Sequence, residues 1–147
     1  MANAHDVAAY ILQRMGEMTT WKLQKLVYYA QAWHLAWTGQ TLFPERIEAW
    51  ANGPVIRDLY REHRGEFRRH SWEVGDPARL SAEERANVDA VLHFYGDKSG
   101  QWLSDLTHAE EPWRHAREGL APSERGNREI EPAVMAGYYG ALAAANS

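Results

Sequence analysis

A chain of 147 residues with a net charge of −4 and no cysteine is long enough for one cored domain, and it excludes a disulfide framework, a thiol nucleophile and thiolate metal sites. The acidic balance argues against a general nucleic-acid binder. No run approaches the ~20 apolar residues of a membrane helix, so a soluble, cytoplasmic protein without a membrane partner is expected. Seven Trp and seven Tyr exceed what a core of this size needs, and such residues are enriched at protein interfaces.

Asn3 is placed to cap a first helix with apolar positions Val7, Ala8, Ile11, Leu12 and Met15, ended by Gly16. Thr19 or Thr20 caps a second, TTWKLQKLVYYAQAWHLAWTG, which stops at Thr38 and Gly39. Its core stripe is Leu23, Leu26, Val27, Ala30, Trp33 and Trp37. Trp21, Tyr28 and Leu35, with Ala32 beside them, form a second stripe about half a turn away. A helix apolar on two sides is either central in its domain or keeps one side for another chain.

The run Ile47 to Trp50 fits a strand or a single helical turn, and Asn52 with Gly53 breaks the chain. Pro54 suits a first helical position, with Val55, Ile56, Leu59, Tyr60 and His63 as the apolar side of the following helix. Residues 66–80 are expected to form a loop or a small hairpin. Ser81 and Glu84 form a capping box for a helix buried through Val88, Val91, Leu92 and Tyr95. Ser99 caps a short helix with Trp102, Leu103 and Leu106, and Thr107 with Glu110 repeats the capping-box pattern ahead of Pro112. A helix through Trp113 and Ala116, an exposed loop over 121–132 and a last helix from Pro132 complete the chain. The expected fold is mainly α, a single compact multi-helix domain over 1–147 with at most a small β element around residues 47–75.

Three constellations bear on chemistry. His108, Glu111 and His115 have helical metal-ligand spacing, but Pro112 interrupts the helix they would share, so no metal is expected. No serine elbow, phosphate loop or dinucleotide fingerprint occurs, so neither an enzyme nor a cofactor is expected. Residues 57–70, RDLYREHRGEFRRH, set five arginines among three acids and two histidines. That segment suits a phosphate backbone, an acidic protein partner or a solvated, internally paired surface. A nucleic-acid-binding regulator is thus the alternative to a protein-binding module.

Taken together, MTTWKLQKLVYYAQAWHLAWTG, LFPERIEAWANGPVIRDLY, LSDLTHAEEPWRHAR and the late IEP before a Tyr-Tyr helix resemble the Panacea domain, over about residues 5–140. This family includes the SocA-like antitoxins and proteins described as phage-associated. Asn52 stands where an aromatic is more usual. The resemblance implies an antitoxin that binds and neutralises a cognate toxin protein, and for the SocA-like branch an adaptor that presents the toxin to an ATP-dependent protease of the ClpXP type. With the aromatic and arginine positions above, the expected partner contacts are Trp21, Tyr28 and Leu35, with Trp50 beside the turn and Arg57, Arg61 and Arg64 at the rim.

Overall fold

The computed structural model describes residues 1–146; Ser147, the last residue of the expected single domain, lies outside the described residues. The elements are α1 (Ala4–Met15), β1 (Met18–Thr19), α2 (Thr20–Thr38), β2 (Ile47–Trp50), β3 (Gly53–Ile56), α3 (Arg57–His63), β4 (Arg68–Arg69), a 3₁₀ turn (Pro77–Arg79), α4 (Ala82–Tyr95), α5 (Gly100–Ala109), α6 (Glu111–Ala116) and α7 (Pro132–Ala145). The architecture is mainly α, with two small antiparallel ladders, β1 with β4 and β2 with β3.

Local chemistry sets the helix starts. The Asn3 side chain accepts from Asp6 N while the Asp6 carboxylate accepts from Asn3 N, and Ser81 and Glu84 make the same reciprocal pair. Thr19 caps α2 through Lys22 N and Ser99 caps α5 through Trp102 N. Gly39 ends α2 in the left-handed conformation, φ 75°, which a residue with a Cβ adopts only at a cost.

Helix α2 is the centre of the domain. It contacts α1, α4, α5, α7 and β3, and its buried residues run around the whole cylinder from Leu23 to Leu35. Polar groups on this helix are satisfied by distant backbone: the Gln24 amide donates to Ile56 O and accepts from Ile56 N, and Gln31 does the same for Phe43 O and Leu42 N. The core stripe has one exception. Trp37 is 45% exposed because it lies in the last turn, beyond the reach of the enclosing elements.

Three sequence expectations are corrected. Pro54 does not start a helix. It pairs with Ala49 in the β2–β3 hairpin, and α3 begins at Arg57. Outward groups of that hairpin find partners in other segments: Pro54 O accepts from Lys25, Ala49 N donates to Arg128 O, and Ile47 O accepts from Ile130 N. Proline is tolerated there because the residue points its missing N–H away from its ladder partner. Thr107 is not a cap. Helix α5 runs through it to Ala109, and its hydroxyl donates to Ser104 O. Glu110, placed in the same expected capping box, is instead turned inward.

Glu110 closes α7 onto α2. Its Oε1 accepts from Tyr29 Oη and from Tyr139 Oη, both at 2.7 Å, and Tyr28 Oη lies 3.0 Å from Tyr139 Oη. Burial raises the Glu110 carboxyl above the usual carboxylate range, an effect opposed by the two tyrosine hydroxyls. Tyr29 also stacks on Tyr95 at 4.3 Å, and Tyr95 Oη accepts from Trp33 Nε1. Tyr139→Phe removes the hydroxyl that joins α7 to this network while keeping the ring. It is expected to cost about 1–3 kcal/mol, read as a lowered denaturant midpoint with unchanged slope.

Candidate partner-binding surface

Trp21 occupies the first turn of α2 and is 38% exposed. The other members of its stripe are not surface residues. Tyr28 is 1% and Leu35 5% exposed, because α7 lies along that side of α2 and Tyr139 meets the Tyr28 ring edge-on. As folded, a partner cannot touch Tyr28 or Leu35, and of the second stripe only Trp21 offers a contact.

Trp50 closes β2 and is half-buried. Its indole N–H donates to Glu48 Oε1, its ring meets Tyr60 edge-on at 4.9 Å, and its carbonyl accepts from Trp113 Nε1. Arg57 donates to the same Glu48 oxygen at 3.0 Å, so the turn and the start of α3 are held in one relation. Arg61 is exposed and lies 3.6 Å from Asp58, and Arg64 is exposed at the end of α3 with no ion pair among the described residues. Arg57, Arg61 and Arg64 follow helical spacing along one side of α3. Beyond them, Arg68 pairs with Glu17, and Arg69 with Glu62, Glu66 and Glu73.

Other exposed aromatics gather near Trp21. Thr20 N donates to Phe67 O, which sets Phe67, 76% exposed, beside the start of α2. A Cβ on Gly100 would lie 3.5 Å from Lys22 N, so α5 begins against the same turn and brings the exposed Trp102, with Lys98 over its ring at 5.1 Å. Lys22 Nζ donates to Gly96 O, and Met15 Cε packs close to Gly96. Met15, Trp21, Phe67 and Trp102 thus come from four segments converging on the N-terminal end of α2. Sequence reasoning placed Trp102 with the apolar side of α5; its helical offset from Leu103, Ser104 and Thr107, which are buried, is the signal that sets it apart.

Beneath Trp21 lies Lys25, fully buried. Its Nζ sits 5.6 Å from the Trp21 ring centroid and donates to Pro54 O at 3.3 Å. Gly53 makes room for it: a Cβ there would fall 2.5 Å from Lys25 Cε, and Gly53 has φ 127°. Gly53→Ala therefore combines backbone strain with a core clash and is expected to cost about 3 kcal/mol in chemical unfolding. His108 stacks on Trp113 at 4.1 Å and its buried Nε2 has no hydrogen-bond partner. The chain is extended at Glu110, between α5 and α6, so His108, Glu111 and His115 share no continuous helix, and His115 instead lies 3.6 Å from Glu118. Among the described residues no group of three His, Asp or Glu is placed to hold a metal ion.

A sequence model of the family described as antitoxin SocA-like, Panacea domain, matches residues 23–114, well over half of the chain. The chain belongs to this SocA-like Panacea family. The match takes in α2 beyond its first turn, the β2–β3 hairpin, α3, α4 and α5, and ends inside α6; α1 and α7 lie outside it. Comparison with curated proteins and with solved structures gives no match. An antitoxin role and a toxin as the general class of partner follow from the family. Among the described residues no helix is long and apolar enough to cross a membrane.

The buried lysine has a pH signature. Burial pushes the Lys25 ammonium down to about 7 from its ordinary 10.5. Below about 7 both folded and unfolded states hold the proton and the fold bears the full cost of burying it. Between about 7 and 10.5 the unfolded chain holds more protons than the folded one, so stability rises with pH. Lys25→Met should be more stable than the parent near neutrality. The difference between the two proteins should shrink toward zero as pH rises through this window, measured by urea unfolding at a series of pH values.

Proposed function

We propose that this Panacea protein is a cytoplasmic antitoxin that neutralises one cognate toxin by direct protein–protein binding. The observation that carries the proposal is the family match together with an exposed aromatic group at the N-terminal end of α2, held on a well-capped scaffold. Interface hot spots are enriched in Trp, Tyr and Arg, and rigid support lowers the entropy lost on binding. Trp21 is the central contact, with Trp50, Arg57, Arg61 and Arg64 along the hairpin and α3 as its rim. Tyr28 and Leu35 act from within, by packing the helix that presents Trp21.

The ion pairs favour a protein partner over nucleic acid. Of the five arginines in residues 57–70, Arg57, Arg61, Arg68 and Arg69 each have a carboxylate partner, so little uncompensated charge is left to track a phosphate backbone. Delivery of the bound toxin to a ClpXP-type protease is a further mode within this reading. It requires the toxin-binding surface to leave another part of the domain free for the protease.

The test is capture of partners by the tagged protein from its own host, with mass spectrometry, beside Trp21→Glu and a combined Arg61→Glu, Arg64→Glu variant checked for native circular dichroism. One dominant small protein partner is expected, with affinity reduced about 30-fold or more by Trp21→Glu, the loss of a hot spot. A co-purifying protease subunit supports delivery. Recovery of nucleic acid without a protein partner refutes the antitoxin reading.

A further inference from the structure

Lys25 has no counter-ion. It is fully buried, it forms no ion pair among the described residues, and its one hydrogen bond, to Pro54 O, is long at 3.3 Å. An ammonium has three donors, and burying one without a charged partner costs several kcal/mol, so such groups are ordinarily paired. The groups around it are basic or neutral. His63 on α3 and His108 on α5 both feel Lys25 as a like charge, and burial, then that charge, is what holds the His108 ring below its ordinary range. His108 Nε2 is buried and unpartnered, Thr107 Oγ1 is a neutral group on the same side of Gly53 as the Lys25 chain, 3.6 Å from where a Gly53 Cβ would stand, and the lid over Nζ is the half-exposed Trp21 indole.

Basic groups from α2, α3 and α5 therefore come within range of one another, and although Glu66 acts on His63 and Asp105 on His108, no carboxylate among the described residues pairs with Lys25. One wall of this place is the residue assigned above as the central partner contact. We propose that Lys25 is the buried anchor of a carboxylate site gated by Trp21, completed when an acidic side chain of the bound partner enters beside the indole. The inference rests on the partner-binding role of Trp21. A carboxylate there supplies the missing acceptor for the remaining Nζ protons, with the nearby His108 ring as a further donor when its Nε2 carries hydrogen. Rotation of an aromatic in the first turn of a helix opens the path without moving the helix. Because the charge pair forms only in a desolvated place, it selects partners that carry an acid at one position and rejects neutral ones.

The experiment follows the Lys25 ε-methylene signal by NMR in lysine-labelled protein across pH, in chloride, in acetate and with a capped oligoglutamate peptide, at matched ionic strength. An oligoglutamine peptide serves as control. The expected result is a titration midpoint raised by about one pH unit by acetate, by oligoglutamate or by both, a tenfold change in proton affinity. Trp21→Ala, which opens the lid and leaves Lys25 in place, should enlarge the acetate effect. A larger effect from the peptide than from acetate identifies a protein side chain as the source; an equal effect still supports the carboxylate site. A midpoint unchanged by acetate and oligoglutamate in both the parent and Trp21→Ala overturns the proposal. That outcome leaves the antitoxin reading standing if the host partner is still captured, whereas absence of any captured partner removes the antitoxin reading without altering the NMR result.

Discussion

Helix α2 carries large apolar side chains on opposite sides, and a lone helix of that kind cannot be soluble. It has to be enclosed, and the remaining elements are arranged to do so. Helices α4 and α5 and the β2–β3 hairpin pack around one part of its circumference, and α7 returns from the far end of the chain to cover another. The enclosure fixes what the protein can show. Tyr28 and Leu35 are spent on internal packing, and only the two ends of α2 reach the surface, where Trp21 and Trp37 emerge. The cluster of exposed aromatics at the first end follows from the same constraint, because Phe67 and Trp102 ride on segments that must close around that end.

Enclosure also explains the polar interior. A helix wrapped on all sides buries polar residues along with apolar ones, and each then needs an acceptor or donor from elsewhere. Gln24 and Gln31 find backbone partners in non-helical segments, Tyr29 and Tyr139 share Glu110, and Tyr28 pairs with the Tyr139 hydroxyl. Lys25 is the member of this set whose needs are least met, since burial lowers its proton affinity without a neighbouring acid to restore it. The Gly53–Pro54 pair belongs to the same arrangement. Glycine gives the lysine chain its space and proline gives its amine a carbonyl.

What was legible in the sequence was what local chemistry decides. The caps at Asn3, Thr19, Ser81 and Ser99 stand where side chain and backbone only three residues away settle the matter. Pro54 was misplaced because proline at a first helical position and proline in a strand look alike within five residues. The difference is made by Ala49 opposite and by Lys25 from another element. Thr107 and Glu110 matched a capping box by spacing, yet Glu110 is claimed by tyrosines on α2 and α7, the latter 29 residues away. The second stripe of α2 was correctly seen as apolar. Which side would be covered depended on where α7 docks, and no residue of α2 encodes that. Lys25 gives no sign of burial in its own segment, where it reads as an ordinary helical lysine.

The hairpin β2–β3 is small, but both its outer edges are occupied. Ala49 and Ile47 bond to residues 128 and 130 on one side, and Pro54 and Ile56 bond to the side chains of Lys25 and Gln24 on the other. No row of open backbone groups is left on it to template an added strand, the commonest cause of unwanted edge-to-edge association. Recognition at this part of the domain must therefore be read through side chains rather than main chain. A surface of that kind can be rewritten one residue at a time, leaving the ladder beneath it undisturbed, which is the property a scaffold needs if its partners are to diverge faster than its fold.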